Sequence, residues 1–169
     1  MPSQVEVPGN TTATAGGRPW WQELLLRAPG GPIPRRVALT LLIAAGAGLT
    51  VYSGYIHLYL WGRQPYPYRA IPTIGPLFLL QGIVGILIGA LVVITRRFFA
   101  VLLAAGFMVV SVAALVIDVE VGMFGFQDSW QVPYATSTLS YEIVGAVLLL
   151  IAAGVLAWPS VTAWSRRGR

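Results

Sequence analysis

The sequence predicts an all-α membrane protein, a four-transmembrane-helix antiparallel bundle with cytoplasmic N- and C-termini. The first observation is composition: 56% of the 169 residues are hydrophobic, only 10% are charged, and the mean hydropathy is +0.73. A soluble domain of this length is far less apolar. The second observation is four apolar segments, each close to the roughly 20 residues that a helix needs to cross a bilayer. The third is an uneven distribution of arginine between the segment ends.

The apolar segments define four predicted helices, at 37–61, 74–95, 98–117 and 139–158. Backbone groups in lipid must bond within their own segment, and these runs are too long for barrel strands, so helices are predicted. Pro72 and Pro76 fall at the start of the second segment, where a missing N–H costs little. Pro159 predicts the end of the fourth helix.

The regions outside the spans are predicted to be cytoplasmic tails. Residues 1–36 begin with a Gly-, Pro-, Ser- and Thr-rich stretch, which predicts disorder through residue 19 and lacks a signal-peptide pattern. The following segment, 20–28, places Trp20, Trp21, Leu24, Leu25 and Ala28 on one side of a helix. It predicts either a short interfacial helix or a partly ordered tail. Residues 159–169 form a basic tail.

Arginine predicts the orientation of the bundle. With the N-terminus in the cytoplasm, nine of the eleven arginines lie on the cytoplasmic side, and only Arg63 and Arg69 lie outside. This bias follows the positive-inside rule. The two longer loops, 62–73 and 118–138, are then expected to face outward.

Helical spacing predicts which side of each helix faces the bundle. In the first helix, Thr50 and Trp61 lie near His57, the chain's single histidine, whereas Tyr52, Tyr55 and Tyr59 lie opposite. Small residues allow membrane helices to approach closely. The predicted packing residues are Gly46, Ser53 and Gly54 in the first helix and Gly82, Gly85 and Gly89 in the second.

One polar residue from each helix is predicted to lie in a layer at the outer leaflet: His57, Gln81, Asp118 and Glu142. Ionisable groups at membrane depth suggest function. A histidine beside a carboxylate could relay protons, or with two carboxylates bind a divalent metal. Alternatively, His57 hydrogen-bonded to Gln81 or Glu142 would hold helices in register, for about 0.6 kcal/mol. Both interpretations remain open.

The residue inventory excludes several chemistries. The absence of cysteine excludes thiol–disulfide exchange, and the scattered arginines form no nucleic-acid-binding surface. Metalloprotease, P-loop, nucleophile-elbow and dinucleotide motifs are absent from the sequence. Met108 is interpreted as core filler, and Ser111 has no base near it on its own helix. The sequence therefore predicts no cofactor, no assigned metal ligand and no catalytic residue.

Two stretches carry a resemblance to a known group. The segments HLYLW, residues 57–61, and YRAIPTIGPLFLLQG, residues 68–82, resemble a stretch shared by small four-helix integral membrane proteins of unknown function from high-GC Gram-positive bacteria. The resemblance covers about a quarter of the chain. It implies a four-helix architecture in a bacterial inner membrane and assigns no reaction.

Two functions are expected from these features. The first is a non-enzymatic accessory or structural subunit that contacts a larger membrane complex, or further copies of itself, through its tyrosine side and glycine seams. The alternative is an outer-leaflet site for a ligand, a metal or a proton, centred on His57. The lipid bilayer is the expected surrounding in both cases.

Overall fold

The computed structural model describes residues 19–65 and 67–167, with side chains as far as Trp158. A short helix, α1 (Trp20–Leu25), precedes four long ones: α2 (Ile33–Gly62), α3 (Ile74–Thr95), α4 (Phe98–Glu120) and α5 (Ala135–Arg167). Each long helix is long and apolar enough to cross a membrane. The predicted all-α four-helix bundle is confirmed, and the chain is a multi-pass membrane protein. The tail predicted at residues 1–18 lies outside the described residues.

The helix bounds differ from the predicted ones mainly at the ends. α3 matches its prediction, whereas α2 begins at residue 33 rather than 37 and α4 ends at 120 rather than 117. The predicted end of the fourth helix at Pro159 is wrong, because α5 continues to Arg167. Proline supplies no N–H for the carbonyl four residues earlier, that of Val155. Arg35 makes a long, exposed contact of 3.5 Å with that carbonyl.

The four long helices form a ring in chain order. α2 packs against α3 and α5, α4 packs mainly against α5, and the contact between α3 and α4 is the smallest of the four. A tight turn joins α3 to α4. Its Arg96 adopts a left-handed conformation with φ of 50°, and its N–H bonds to the Val92 carbonyl at 2.8 Å. This cap ends α3 at once and makes α3 and α4 antiparallel neighbours.

Glycine and alanine bring α2 and α3 into backbone contact. A Cβ added to Gly54 would lie 2.8 Å from the Gly82 carbonyl oxygen, and one added to Gly82 would lie 2.5 Å from Leu58 Cδ2. The other predicted packing glycines also have close neighbours. A Cβ added to Gly46 would lie 2.6 Å from Leu149, one added to Gly85 would lie 3.2 Å from the Gly54 Cα, and one added to Gly89 would lie 2.5 Å from Val51. Side chains larger than hydrogen would therefore force the helices apart.

The segment around α1 is fastened to the end of the bundle at which α3 meets α4. Arg97 donates to the Leu26 carbonyl at 2.8 Å, and the Phe98 N–H donates to the Arg27 carbonyl at the same distance. Arg27 in turn donates to the Leu156 carbonyl of α5 at 3.3 Å. The helix predicted at 20–28 is thus shorter, six residues, and the residues after it cap neighbouring helices.

The opposite end of the bundle carries both longer loops and is called the loop-bearing end. Gln127 donates to the Val119 carbonyl at 2.9 Å, and the Trp130 indole donates to Glu120 at 2.9 Å. These bonds hold the loop between α4 and α5 over the ends of the helices. The polar residues of the bundle lie below this loop.

Candidate functional site

The centre of the site is the carboxyl group of Glu142 on α5. Its side chain is fully buried, with 0% exposure. Oε1 accepts two short hydrogen bonds, from Ser53 Oγ of α2 at 2.6 Å and from Ser111 Oγ of α4 at 2.5 Å. Hydrogen bonds are electrostatically stronger where water is excluded. Three helices therefore converge on one oxygen.

A fourth helix, α3, joins the network and sets the direction of its hydrogen bonds. Gln81 Nε2 donates a hydrogen bond to Ser111 Oγ at 2.6 Å. Since an amide nitrogen only donates, Ser111 accepts from Gln81 and must direct its own proton to Glu142. Both serine hydroxyls therefore donate to Oε1. Oε2 remains as the oxygen on which Glu142 can carry a proton of its own.

The side chain of Glu142 lies at a small cavity. Its second oxygen, Oε2, is buried and has no hydrogen-bond partner among the described residues, and the same is true of Thr138 Oγ1, one helical turn earlier on α5. Glu142 and Thr138 both line a cavity of about 40 Å³, called the inner cavity, together with His57, Tyr68 and Asp128. A cavity of this size holds one or a few water molecules and nothing larger.

His57 lies between this inner cavity and the open side of the bundle. Its Nδ1 is 2.8 Å from the Ser53 carbonyl oxygen, and a carbonyl only accepts, so Nδ1 carries the hydrogen. Nε2 is then free of hydrogen in the neutral ring and can accept a proton. The ring packs against Phe78 with centroids 5.1 Å apart. The imidazole lines two cavities at once, the inner cavity and a larger groove.

The groove lies between α3 and α4 at the loop-bearing end and has a volume of about 400 Å³. Its walls are mainly apolar, and its polar lining consists of His57, Gln81, Ser111, Asp118 and Asp128. Asp118 Oδ1 is buried and, within the described chain, lacks a hydrogen-bond partner. The groove therefore combines an apolar wall with an acidic end.

Tyr68 and Asp128 close the inner cavity from the loop side. The Tyr68 hydroxyl donates to Asp128 Oδ2 at 2.6 Å. Burial raises the pKa of the Tyr68 phenol, and the hydrogen bond to Asp128 raises it further. Asp128 also lines the groove and a third cavity of about 490 Å³ among the loops. The Tyr68–Asp128 pair thus stands where the three cavities meet.

The structure brings three of the four predicted site residues together. Gln81 and Glu142 belong to one hydrogen-bond network, and His57 is attached to it through the backbone of Ser53. Asp118 lies apart, at the end of the groove. The suggested metal site with two carboxylates does not form: in the part of the chain that the structure describes, no three His, Asp or Glu residues are placed to hold a metal.

Five members of the site are not among the predicted site residues. The sequence predicts Ser53 as a packing residue and assigns no role in the site to Ser111, Thr138, Asp128 or Tyr68. The base that Ser111 lacks on its own helix is Glu142 on the neighbouring one. Ser111 does share a narrow sector of α4 with Asp118, and this spacing was the only signal in the sequence that could have included it.

Comparisons with known protein families, with curated proteins and with solved structures give no match to this chain.

Proposed function

We propose that this chain is a non-enzymatic, proton-binding component of a bacterial inner membrane, with both termini in the cytoplasm and the loop-bearing end facing outward. The distribution of arginine supports this orientation, since nine of eleven lie at the opposite end or in the tails. Glu142 is the proton-binding group. The outward orientation would give its cavity access to protons from outside the cell.

The observation that carries the proposal is the unequal surroundings of the two Glu142 oxygens. Oε1 accepts two hydrogen bonds, whereas Oε2 is buried and meets no donor among the described residues. An unpaired buried charge is costly in lipid, and a group in this position usually becomes neutral instead. A proton on Oε2 removes the charge without disturbing the bonds to Oε1.

The size and chemistry of the inner cavity favour a proton over an organic ligand or a metal ion as the species bound there. About 40 Å³ admits water but not an organic ligand. Water in this cavity would lie beside Glu142 and Thr138, which both line it. A metal would need several ligands, which the described part of the bundle does not assemble.

His57 provides the route by which the proton reaches Glu142. The ring lines both the groove and the inner cavity, and its Nε2 can accept a proton. The other titratable groups that line these cavities are Asp118 at the end of α4 and the Tyr68–Asp128 pair in the loops. Proton transfer then runs from the groove through His57 and water to Oε2.

Infrared difference spectroscopy of the protein in bilayers tests this proposal. The expected result is a carboxylic-acid band that shifts in heavy water and is absent from Glu142→Gln. Glu120→Gln is the matched control, because it removes an exposed glutamate of α4 and should retain the band. His57→Phe should keep the band but slow its appearance after a rapid drop in pH.

Two outcomes would contradict the proposal. If Glu142→Gln and wild type have the same carboxylic-acid spectrum at every pH at which the bundle stays folded, Glu142 binds no proton. If the band follows pH equally fast in wild type and His57→Phe, the route through His57 is wrong.

A second candidate function, a subunit of a larger membrane complex, is supported by an exposed aromatic surface. Five tyrosines with 37–56% exposure form this tyrosine face: Tyr52, Tyr55, Tyr59, Tyr134 and Tyr141. Their rings are in mutual contact, with Tyr52 and Tyr141 centroids 5.2 Å apart and Tyr59 and Tyr134 centroids 5.7 Å apart. Tyrosine is common in the buried contacts between proteins.

Site-specific photo-crosslinking distinguishes a protein partner from lipid at this surface. A benzoylphenylalanine at position 55 should crosslink to a defined protein at native expression level. The control is the same residue at Leu87 on α3, which is 62% exposed and lies away from the tyrosines. Crosslinks to lipid alone at both positions would exclude the subunit role.

A further inference from the structure

The groove between α3 and α4 has features that the proton site does not use. Its α3 wall is formed by Leu77, Leu80 and Val84, one stripe at helical spacing, and its α4 wall runs from Phe107 to Asp118. Eleven residues of helix span about 16 Å, so the groove follows roughly half the thickness of the hydrocarbon layer. Leu77 and Leu80 are 40% and 58% exposed, so this wall opens toward the surrounding lipid.

The charged and titratable side chains that line the groove are two aspartates and one histidine. Asp118 and Asp128 lie at its loop-bearing end with His57, and among the described lining residues there is no arginine. Asp118 Oδ1 is a buried acceptor that receives no hydrogen bond from the described residues. A guest that balances the two carboxylates must be positive, and a hydrogen-bond donor suits their oxygens.

We propose that the groove binds a single-chain amphiphile with a primary ammonium head. The head would lie against the carboxyl groups of Asp118 and Asp128, and the alkyl chain would lie along Leu80 and Val84 toward Phe107. A volume of about 400 Å³ is at the lower end of the range for small-molecule pockets, which suits one chain rather than a two-chain phospholipid. Charge complementarity selects a cationic head over a phosphate or sulfate head.

This site adjoins the proton site, since Gln81 and Ser111 line the groove and also belong to the network around Glu142. Glu142 does not line the groove, and Asp118 does not belong to the hydrogen-bond network around Glu142. His57 lines both cavities and links the two. The failure of either proposal therefore leaves the other intact, because Asp118→Asn should retain the infrared band of Glu142.

Equilibrium binding of radiolabelled dodecylammonium to the full chain in phosphatidylcholine nanodiscs tests the inference. Empty nanodiscs measure partition into lipid, and the expected result is saturable binding at one site above that background. Dodecyl sulfate should not compete. Dodecyltrimethylammonium keeps the charge but cannot donate a hydrogen bond, so it should compete more weakly than unlabelled dodecylammonium.

Asp118→Asn should weaken dodecylammonium binding about tenfold or more, because it removes a charge-assisted hydrogen bond. The matched control is Glu120→Gln, which deletes a negative charge two residues away but outside the groove lining. It should leave the affinity unchanged. Should Asp118→Asn fail to fold, Ala114→Phe fills the groove wall without altering charge and should abolish saturable binding.

Three results would overturn the inference. The first is dodecylammonium binding that does not saturate above the background of empty nanodiscs. The second is an equal loss of affinity in Asp118→Asn and Glu120→Gln. The third is competition by dodecanol as strong as that by unlabelled dodecylammonium. Equal loss would mean that charge near the membrane surface attracts the probe without a site. Competition by dodecanol would mean that the groove accepts any alkyl chain.

Discussion

The closest contact between α2 and α3, at Gly54, allows a quantitative prediction of stability. A Cβ at this position would lie 2.8 Å from the Gly82 carbonyl oxygen and 3.0 Å from the Ile86 amide nitrogen, whereas ordinary Cβ contacts begin near 3.4 Å. Both atoms belong to the α3 backbone and cannot rotate away. Gly54→Ala must therefore separate the helices locally by about 0.6 Å, the difference between 2.8 and 3.4 Å.

The size of the effect follows from comparison with Gly48→Ala. Overpacking costs about 1–3 kcal/mol. Both variants gain the helix propensity of alanine, roughly 1 kcal/mol. A Cβ on Gly48, also in α2, meets no described atom within 4 Å. The free energy of unfolding of Gly54→Ala should accordingly be about 1–3 kcal/mol below that of Gly48→Ala, since the propensity gain cancels.

Unfolding by sodium dodecyl sulfate in mixed micelles, followed by circular dichroism, measures this difference. Gly48→Ala is expected to be as stable as wild type or slightly more stable. The separation at Gly54 should also lengthen the hydrogen bond from the adjacent Ser53 to Glu142. If the two alanine variants unfold at the same detergent fraction, α2 and α3 are not in backbone contact at Gly54, and the packing described for this pair is incorrect.

Three further predictions concern the site and its orientation. Ser111→Ala should lower the free energy of unfolding by about 1–2 kcal/mol, because it removes one of the two hydrogen bonds to the buried Glu142 and the acceptor of the half-buried Gln81 amide. Ser140→Ala on the exposed side of α5 should have little effect in the same assay. Burial and the hydrogen bond to the Asp128 carboxylate raise the pKa of the Tyr68 phenol. The contribution of this bond to the free energy of unfolding is therefore complete at pH values below the ordinary pKa of tyrosine, and it declines as the pH rises above that value. The stability difference between wild type and Tyr68→Phe should thus shrink in alkaline unfolding curves, and a constant difference would contradict this sign. Because the natural chain has no cysteine, Ser129→Cys should react with a membrane-impermeant maleimide in intact cells and Thr95→Cys only after lysis, and the reverse pattern would invert the orientation.

The sequence was sufficient for the helices and for the side of each that faces inward. Apolar length decides the existence of a membrane helix, and the periodicity of small residues decides its buried side. Thr50 and Ser53 are fully buried, while Tyr55 on the opposite side is 56% exposed. All four residues of the predicted polar layer accordingly line the groove or the inner cavity.

The partners of those residues could not be predicted, because periodicity gives no relative height between helices. Ser111 meets Glu142 only because α4 and α5 are in a particular register, which depends on the loop between them. The continuation of α5 past Pro159 was also missed, because a proline ordinarily ends a helix. Loop contacts such as Tyr68–Asp128 leave no periodic pattern at all.

The protonation of Glu142 is the central claim, and carbon-13 NMR of the glutamate side-chain carboxyl groups in bilayers measures it most directly. The chain has four glutamates, so Glu142→Gln assigns the resonance by its loss. We expect the resonance that disappears in Glu142→Gln to lie at the position of a neutral carboxyl group in the wild-type protein. A Glu142 resonance at the carboxylate position would contradict the proposal that Glu142 carries a proton.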